Sequence, residues 1–135
     1  MSEPRLILFD IDGTILSTDR KAWEDPFRDA MEAALHEIGE PQKIDTSRYK
    51  SGGKTDTQII YEILDANGFP EETIARVFPA VQKKYLQLLR EVVEANPQYV
   101  ILKPGVVELL EELKRMPHLV LALLTGNFEE GARIK

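Results

Sequence analysis

Apolar positions follow two different rhythms along the chain. Leu6 to Phe9 and Leu119 to Leu124 are apolar at every position. Short continuous runs of this kind predict strands buried on both faces, as in a parallel sheet. Between them the apolar residues recur at three- and four-residue intervals, the period of amphipathic helices. Phe27, Ala30, Met31, Ala34, Leu35 and Ile38 form the first such stripe, opened by Asp25 as N-cap with Pro26 in the first turn and stopped by Gly39. His36 lies beside this stripe near the helix end, where a partly exposed cation is favourable, and reads as structural. Ser17 to Glu24, ahead of it, reads as a polar loop. Ile59, Ile60, Ile63 and Leu64 give a second helix from about Thr55 to Asn67-Gly68. Ile74, Val77 and Phe78 give a third, which Pro79 is expected to break or kink. Val81, Tyr85, Leu88, Leu89 and Val92 carry the next helix towards Asn96-Pro97. After a turn at Lys103 to Gly105, Val106 to Met116 predicts a helix with Val107, Leu110 and Leu113 inward, and a last helix opens at Phe128.

The order is strand, polar turn, several helices, strand, polar turn, helix. It predicts an α/β fold: a Rossmann-like parallel sheet core, 1–16 with 100–135, interrupted by an inserted α-helical domain over 17–99. Only two core strands are legible, fewer than an open sheet usually has, so the sheet reads as incomplete. The expectation is a chain that forms the N-terminal part of a longer protein, with an exposed sheet edge able to self-associate.

The candidate chemistry stands where both strands end. Asp10 and Asp12 follow the first strand, and at i and i+2 of an extended chain they would point to one side. Gly13 then lets the backbone turn sharply. In α/β sheets the carboxyl ends of strands are where ligands bind. Carboxylates this close repel unless a divalent cation or a shared proton offsets them; a solvated Asp-Gly turn is the plainer alternative. Thr125, Gly126 and Asn127 follow the second strand. A hydroxyl, an amide and turn N–H groups are good phosphate donors, although Asn127 could also be a simple helix cap. Parallel strands would set the two turns face to face, which suggests a phosphate ester bridged by a metal.

Other motifs fail on spacing. Counted from Asp10, the sixth and twelfth positions of a calcium loop hold Ile15 and Lys21 rather than Gly and Glu. Gly53-Lys54-Thr55 resembles the end of a P-loop, but Arg48 stands where the earlier Gly belongs. Composition narrows the field further. The 135 residues carry a net charge of −6 with no basic run, which argues against nucleic acid or an anionic membrane as partner. There is no cysteine, hence neither disulfides nor thiolate chemistry. Neither a signal-peptide pattern at Met1 to Pro4 nor an apolar stretch near the roughly 18 residues of a membrane span occurs, so the expected location is cytoplasmic.

Phe9-Asp10-Ile11-Asp12-Gly13-Thr14, followed much later by Leu123-Leu124-Thr125-Gly126-Asn127, resembles the haloacid dehalogenase-like hydrolase superfamily. Asp10, Asp12, Gly13 and Thr14 match its first motif and Thr125 its second. The helical stretch is similar to the family's cap domain, and Ser51 to Gln58 to the cap loop of phosphoglycolate-phosphatase-like members. The resemblance implies a Mg²⁺-dependent phosphatase acting on a small phosphorylated metabolite. Asp10 would be the nucleophile and Asp12 the general acid and base. Mg²⁺ would be held by Asp10 and the backbone carbonyl of Asp12, and the phosphoryl oxygens by Thr125, Gly126 and Asn127. A second Asp at position 12 favours phosphate chemistry over dehalogenation. Lys54, in the cap loop, could reach an anionic substrate or be a solvated charge. A phosphotransferase or mutase, or a non-catalytic association module, are the alternatives. Two family features depart from the pattern: the acidic pair of the fourth motif is not found, and the third-motif Lys could be Lys135 unless that last residue is frayed.

Overall fold

The helical stripes are the most completely buried part of the chain. The computed structural model describes residues 3–135; Met1 and Ser2, at the start of the expected 1–16 segment, lie outside the described residues. Helix α1 (Arg20–Glu37) packs along α3 (Glu71–Ala95), and α2 (Asp56–Ala66) lies against both. Between them Phe27, Met31, Leu35, Ile60, Ile63, Leu64, Val77, Val81, Tyr85 and Leu89 are fully buried. The Phe27 and Tyr85 rings stack, with centroids 3.7 Å apart. These are the stripes predicted from period alone.

Two helix boundaries differ from expectation. α1 begins at Arg20 rather than Pro26, because Asp19 accepts the N–H of Lys21 at 2.8 Å and caps it, and Arg20 pairs with Glu24 one turn on. The predicted loop over Ser17 to Glu24 is therefore mostly strand and helix. Pro26 then lies inside the helix, where it withholds one backbone donor; burial of the stripe on both sides of it outweighs that cost. The same holds in α3, one 25-residue helix that continues through Pro79 instead of breaking there. Val77, Val81, Tyr85 and Leu89 share one buried stripe across the proline.

Strand β1 (Arg5–Phe9) pairs in parallel with β4 (Leu119–Leu123), from Arg5 opposite Leu119 to Phe9 opposite Leu123. β2 (Leu16–Thr18) and β3 (Val100–Leu102), too short to show a pattern in sequence, pair antiparallel at the two ends of the helical segment. Helix α4 (Val106–Lys114) packs on β4, with Val106, Leu110 and Leu113 half-buried and Val107 exposed, contrary to the expected inward set. α5 (Glu129–Ile134) lies on α3. The expectation that β1 and β4 are buried on both faces is not met. Leu6 is 60% exposed and Leu124, just past β4, 64%, because each sheet has only two strands among the described residues. The chain is thus an α/β fold whose principal core is helical.

Stability should therefore reside in the helices. Leu64→Ala is expected to cost about 2–5 kcal/mol in urea unfolding, whereas Leu8→Ala, at a half-exposed strand position, should cost less than about 1 kcal/mol.

Candidate active site

The level pairing of β1 and β4 brings the two turns together. Beyond the last pair, the N–H of Leu124 donates to the Phe9 carbonyl at 2.8 Å, so both strands end side by side. After Phe9 the chain wraps around the Ile11 carbonyl, which accepts N–H groups from Thr14, Ile15 and Leu16 at 3.0–3.2 Å. Gly13 makes this turn possible with φ +80°, in the left-handed region that residues with a Cβ avoid. Because β1 stops at Phe9, Asp10 and Asp12 lie in the turn beyond the strand, so the same-side argument for a continuous strand does not apply to them. The turn nevertheless brings both to the wall of one cavity of about 630 Å³, with Thr125, Gly126, Asn127, Lys54 and Lys135 also on that wall.

Asp12 is the hub. Its Oδ1 accepts from Thr18 Oγ1 at 2.8 Å and from Lys135 Nζ at 3.1 Å; its Oδ2 accepts from Asn127 Nδ2 at 2.7 Å. Lys135 also donates to Asn127 Oδ1 at 2.7 Å, and its side chain is only 4% exposed. Thr125 Oγ1 accepts from both the backbone N–H and Nδ2 of Asn127, at 3.1 and 2.7 Å. Burial pushes the Asp12 carboxyl up, but Lys135, Asn127 and Thr18 together outweigh it and hold the group below its ordinary value. Asp10, by contrast, is exposed, and its Oδ1 accepts the N–H of Ile11 at 2.8 Å.

Lys54 lines the same cavity, but its ammonium is already engaged. It pairs with Glu62 and lies 4.7 Å from the centre of the Tyr49 ring. The hydrogen bonds from Lys54, Gln58 and Tyr49 hold Glu62 down at about 2. Lys135 is not frayed: it is drawn into the site by Asp12 and Asn127.

Two participants carry no signal of their own in sequence, although Asp56 falls within the Ser51 to Gln58 stretch. Thr18 lies in a stretch whose polar pattern reads as loop. Asp56 has the pattern of one more acidic residue opening a helix, yet it is 6% exposed. Its Oδ2 accepts the N–H of Phe128 at 2.8 Å, and its own N–H donates to the Gly126 carbonyl at 2.8 Å. Burial raises its carboxyl to about 6.

As to metals, the carboxylate of Asp10 and the backbone oxygens of its turn are hard donors of the kind Mg²⁺ takes, and Mg²⁺ keeps several waters when few carboxylates are present. No group of three or more His, Cys, Asp or Glu side chains converges among the described residues, so the residues present fit one side of such a shell.

The sequence profile of the haloacid dehalogenase-like hydrolases matches residues 4–135. The chain belongs to this family. No curated protein matches it. Among solved structures, this haloacid dehalogenase-like chain is similar to CbbY from Rhodobacter sphaeroides in complex with phosphate, at 24% identity and a TM-score of 0.58, over 96% of this chain and 54% of that one. It is also similar to a hydrolase from Pseudomonas syringae, with 21% identity, TM-score 0.56 and coverage of 98% and 53%. A Lactobacillus plantarum protein provisionally assigned as a phosphoglycolate phosphatase gives 19%, 0.52, and coverage of 98% and 56%. These likenesses establish the haloacid dehalogenase-like fold. The chain spans about half the length of the solved structures it matches.

Two outcomes follow from this geometry. A Cβ on Gly126 would fall 2.7 Å from the Lys54 carbonyl oxygen and 2.9 Å from Thr55 Cα, so Gly126→Ala should lower the melting temperature by several degrees in a thermal scan. Asp56 is raised from 3.8 to about 6 on folding. Its contribution to stability is therefore full below pH 4 and lost as pH rises through 6, falling by about 1.4 kcal/mol for each pH unit in between. Asp56→Asn, which keeps an acceptor for Phe128, should lack that component. Its melting temperature relative to the parent chain should rise between pH 4 and pH 7.

Proposed function

We propose that the chain carries part of the active site of a Mg²⁺-dependent phosphatase, acting on a small phosphorylated metabolite through an aspartyl-phosphate. The observation that supports this most is the joining of Asp12, Asn127 and Lys135 across the two strand ends, beside the exposed carboxylate of Asp10. Asp10 is the nucleophile: a bond forms between its carboxylate oxygen and phosphorus as the ester oxygen leaves. Asp12 gives that oxygen a proton, then takes one from the water that attacks the aspartyl-phosphate, freeing Asp10 and inorganic phosphate. Lys135 and its neighbours hold Asp12 low before substrate arrives; a phosphate dianion beside it would pull Lys135 away and raise it towards the acid role. Thr125, Asn127 and the turn N–H groups near Gly126 exchange their mutual hydrogen bonds for phosphoryl oxygens. Asp10 and the Asp12 carbonyl would hold Mg²⁺, which when bound supplies positive charge against the phosphoryl oxygens. Lys54 faces the cavity from the helical side and is proposed to meet the substrate's far end, once it exchanges Glu62 for an anion.

The division into a sheet part, 1–16 with 100–135, and a helical cap, 17–99, belongs to this reading, with the β2–β3 pair at the base of the cap. Transfer of the phosphoryl group to an acceptor hydroxyl, as in a phosphotransferase or mutase, uses the same residues. The net charge of −6 disfavours a polyanionic partner such as nucleic acid. No helix of the described residues is long and apolar enough to cross a membrane, and a phosphorylated metabolite as substrate is what leads us to propose the cytoplasm. A second reading rests on the exposed Leu6, Leu8, Val120, Leu123 and Leu124. Free edges beside such a surface favour association, and sedimentation should then show a size that rises with concentration.

The deciding test is hydrolysis of an aryl phosphate with and without Mg²⁺. Asp10→Asn should abolish turnover, by roughly 10³-fold or more, and Lys135→Met should reduce it by about 10²-fold. Equal rates for Asp10→Asn and the parent would refute the aspartyl mechanism.

A further inference from the structure

We infer that Asp56 is a positioning residue: it clasps the phosphate-binding turn to the loop that opens α2, and so sets where Thr125 and Asn127 stand. The inference rests on the phosphatase reading of that turn. Nothing in the mechanism uses Asp56, yet it is a carboxylate buried to 6% exposure, which is costly unless its bonds are made. The residue bonds in both directions across one joint, with its carboxylate accepting one bond and its backbone N–H donating the other. The Asp56 N–H donates to the Gly126 carbonyl, and the Phe128 N–H donates to Asp56 Oδ2, each at 2.8 Å. Gly126 and Phe128 flank Asn127, so the residue that touches Asp12 and Lys135 is held on both sides by a single partner.

The surroundings are shaped to this clasp. Gly126 lies so close to the Lys54 and Thr55 backbone that no side chain fits there without a shift. The Phe128 ring is anchored edge-on against Phe78 and Tyr85, with centroids 6.2 and 6.3 Å away. Thr55 caps α2 by accepting the N–H of Gln58 at 3.1 Å, which leaves the Asp56 carboxylate free to serve the turn rather than its own helix. A loop placed this way can hold the phosphate turn still, and displacement of one side must displace the other.

The test uses the 135-residue chain, inorganic phosphate as probe, and the variants Asp56→Asn and Asp56→Ala. Asn keeps an acceptor for Phe128 and Ala does not. Amide hydrogen exchange reads the clasp, and an NMR phosphate titration reads its consequence, with thermal melts recorded for each variant. The expected result is parent-like Phe128 protection and phosphate affinity in Asp56→Asn. In Asp56→Ala, exchange at Phe128 should be at least tenfold faster and phosphate binding at least tenfold weaker, while melting remains cooperative. Parent-like phosphate affinity in Asp56→Ala overturns the inference, whatever its exchange. If the parent binds no phosphate, the phosphatase reading fails by itself, and exchange alone decides the clasp: equal protection in all three chains overturns it. If Asp56→Ala does not fold, the parent answers. Asp12, Lys135 and Tyr85 are the titratable groups that share Asp56's surroundings. The Phe128 amide resonance should shift between pH 4 and 7 in the parent and stay still in Asp56→Asn; a shift in both overturns the inference.

Discussion

The hydrogen bond from the Leu124 N–H to the Phe9 carbonyl is the constraint on which the site depends. It extends the parallel pairing of β1 with β4 by one step and makes the two strands end level. Were the register slipped by two residues, the turns would part by roughly 6–7 Å, beyond the reach of the Asn127 amide to Asp12. Residues more than a hundred positions apart are thereby brought within hydrogen-bond distance. A carboxylate that would repel its neighbour is instead met by an amide, a hydroxyl and an ammonium group.

The sheet that performs this positioning is the less buried part of the molecule, and the helices are the better-packed part. The Phe27–Tyr85 stack and the long α1–α3 contact make a core that contains no strand residue. The strands lean on it through the turn after β4: Phe128 inserts its ring among the helical aromatics and Asp56 ties the backbone on both sides of Asn127. Buried polar groups are expensive unless satisfied, and Asp56 bonds across the joint twice, once through its backbone N–H to Gly126 and once through its carboxylate to the Phe128 N–H. The helices therefore do more than line the cavity: through Asp56, α2 bonds the backbone on both sides of Asn127.

Local pattern was enough for the helical stripes, because the burial of Met31, Ile60 or Leu89 follows from spacing alone. It was enough, too, for Asp10, Asp12, Thr125, Gly126 and Asn127 as candidates, since polar residues placed directly after fully apolar strands have few structural reasons to be there. Helix boundaries at Asp19 and across Pro79 were not legible. In both, tertiary burial of a stripe outweighed a local signal that favoured a stop. Three-residue strands such as β2 and β3 have no periodicity to read, and they exist because each supplies the other's hydrogen bonds.

By itself, then, the sequence determined which faces are apolar, where the strands end and which chemical groups stand there, because each follows from side-chain type and period. Only the tertiary structure decided that Lys135 is buried against Asp12, that Lys54 is tied to Glu62, and that Asp56 serves Phe128 rather than its own helix. These choices depend on distances between residues far apart in the chain, which no local pattern encodes. The exposure of β1 and β4 was decided at the same level, since a strand's burial depends on how many neighbours it finds.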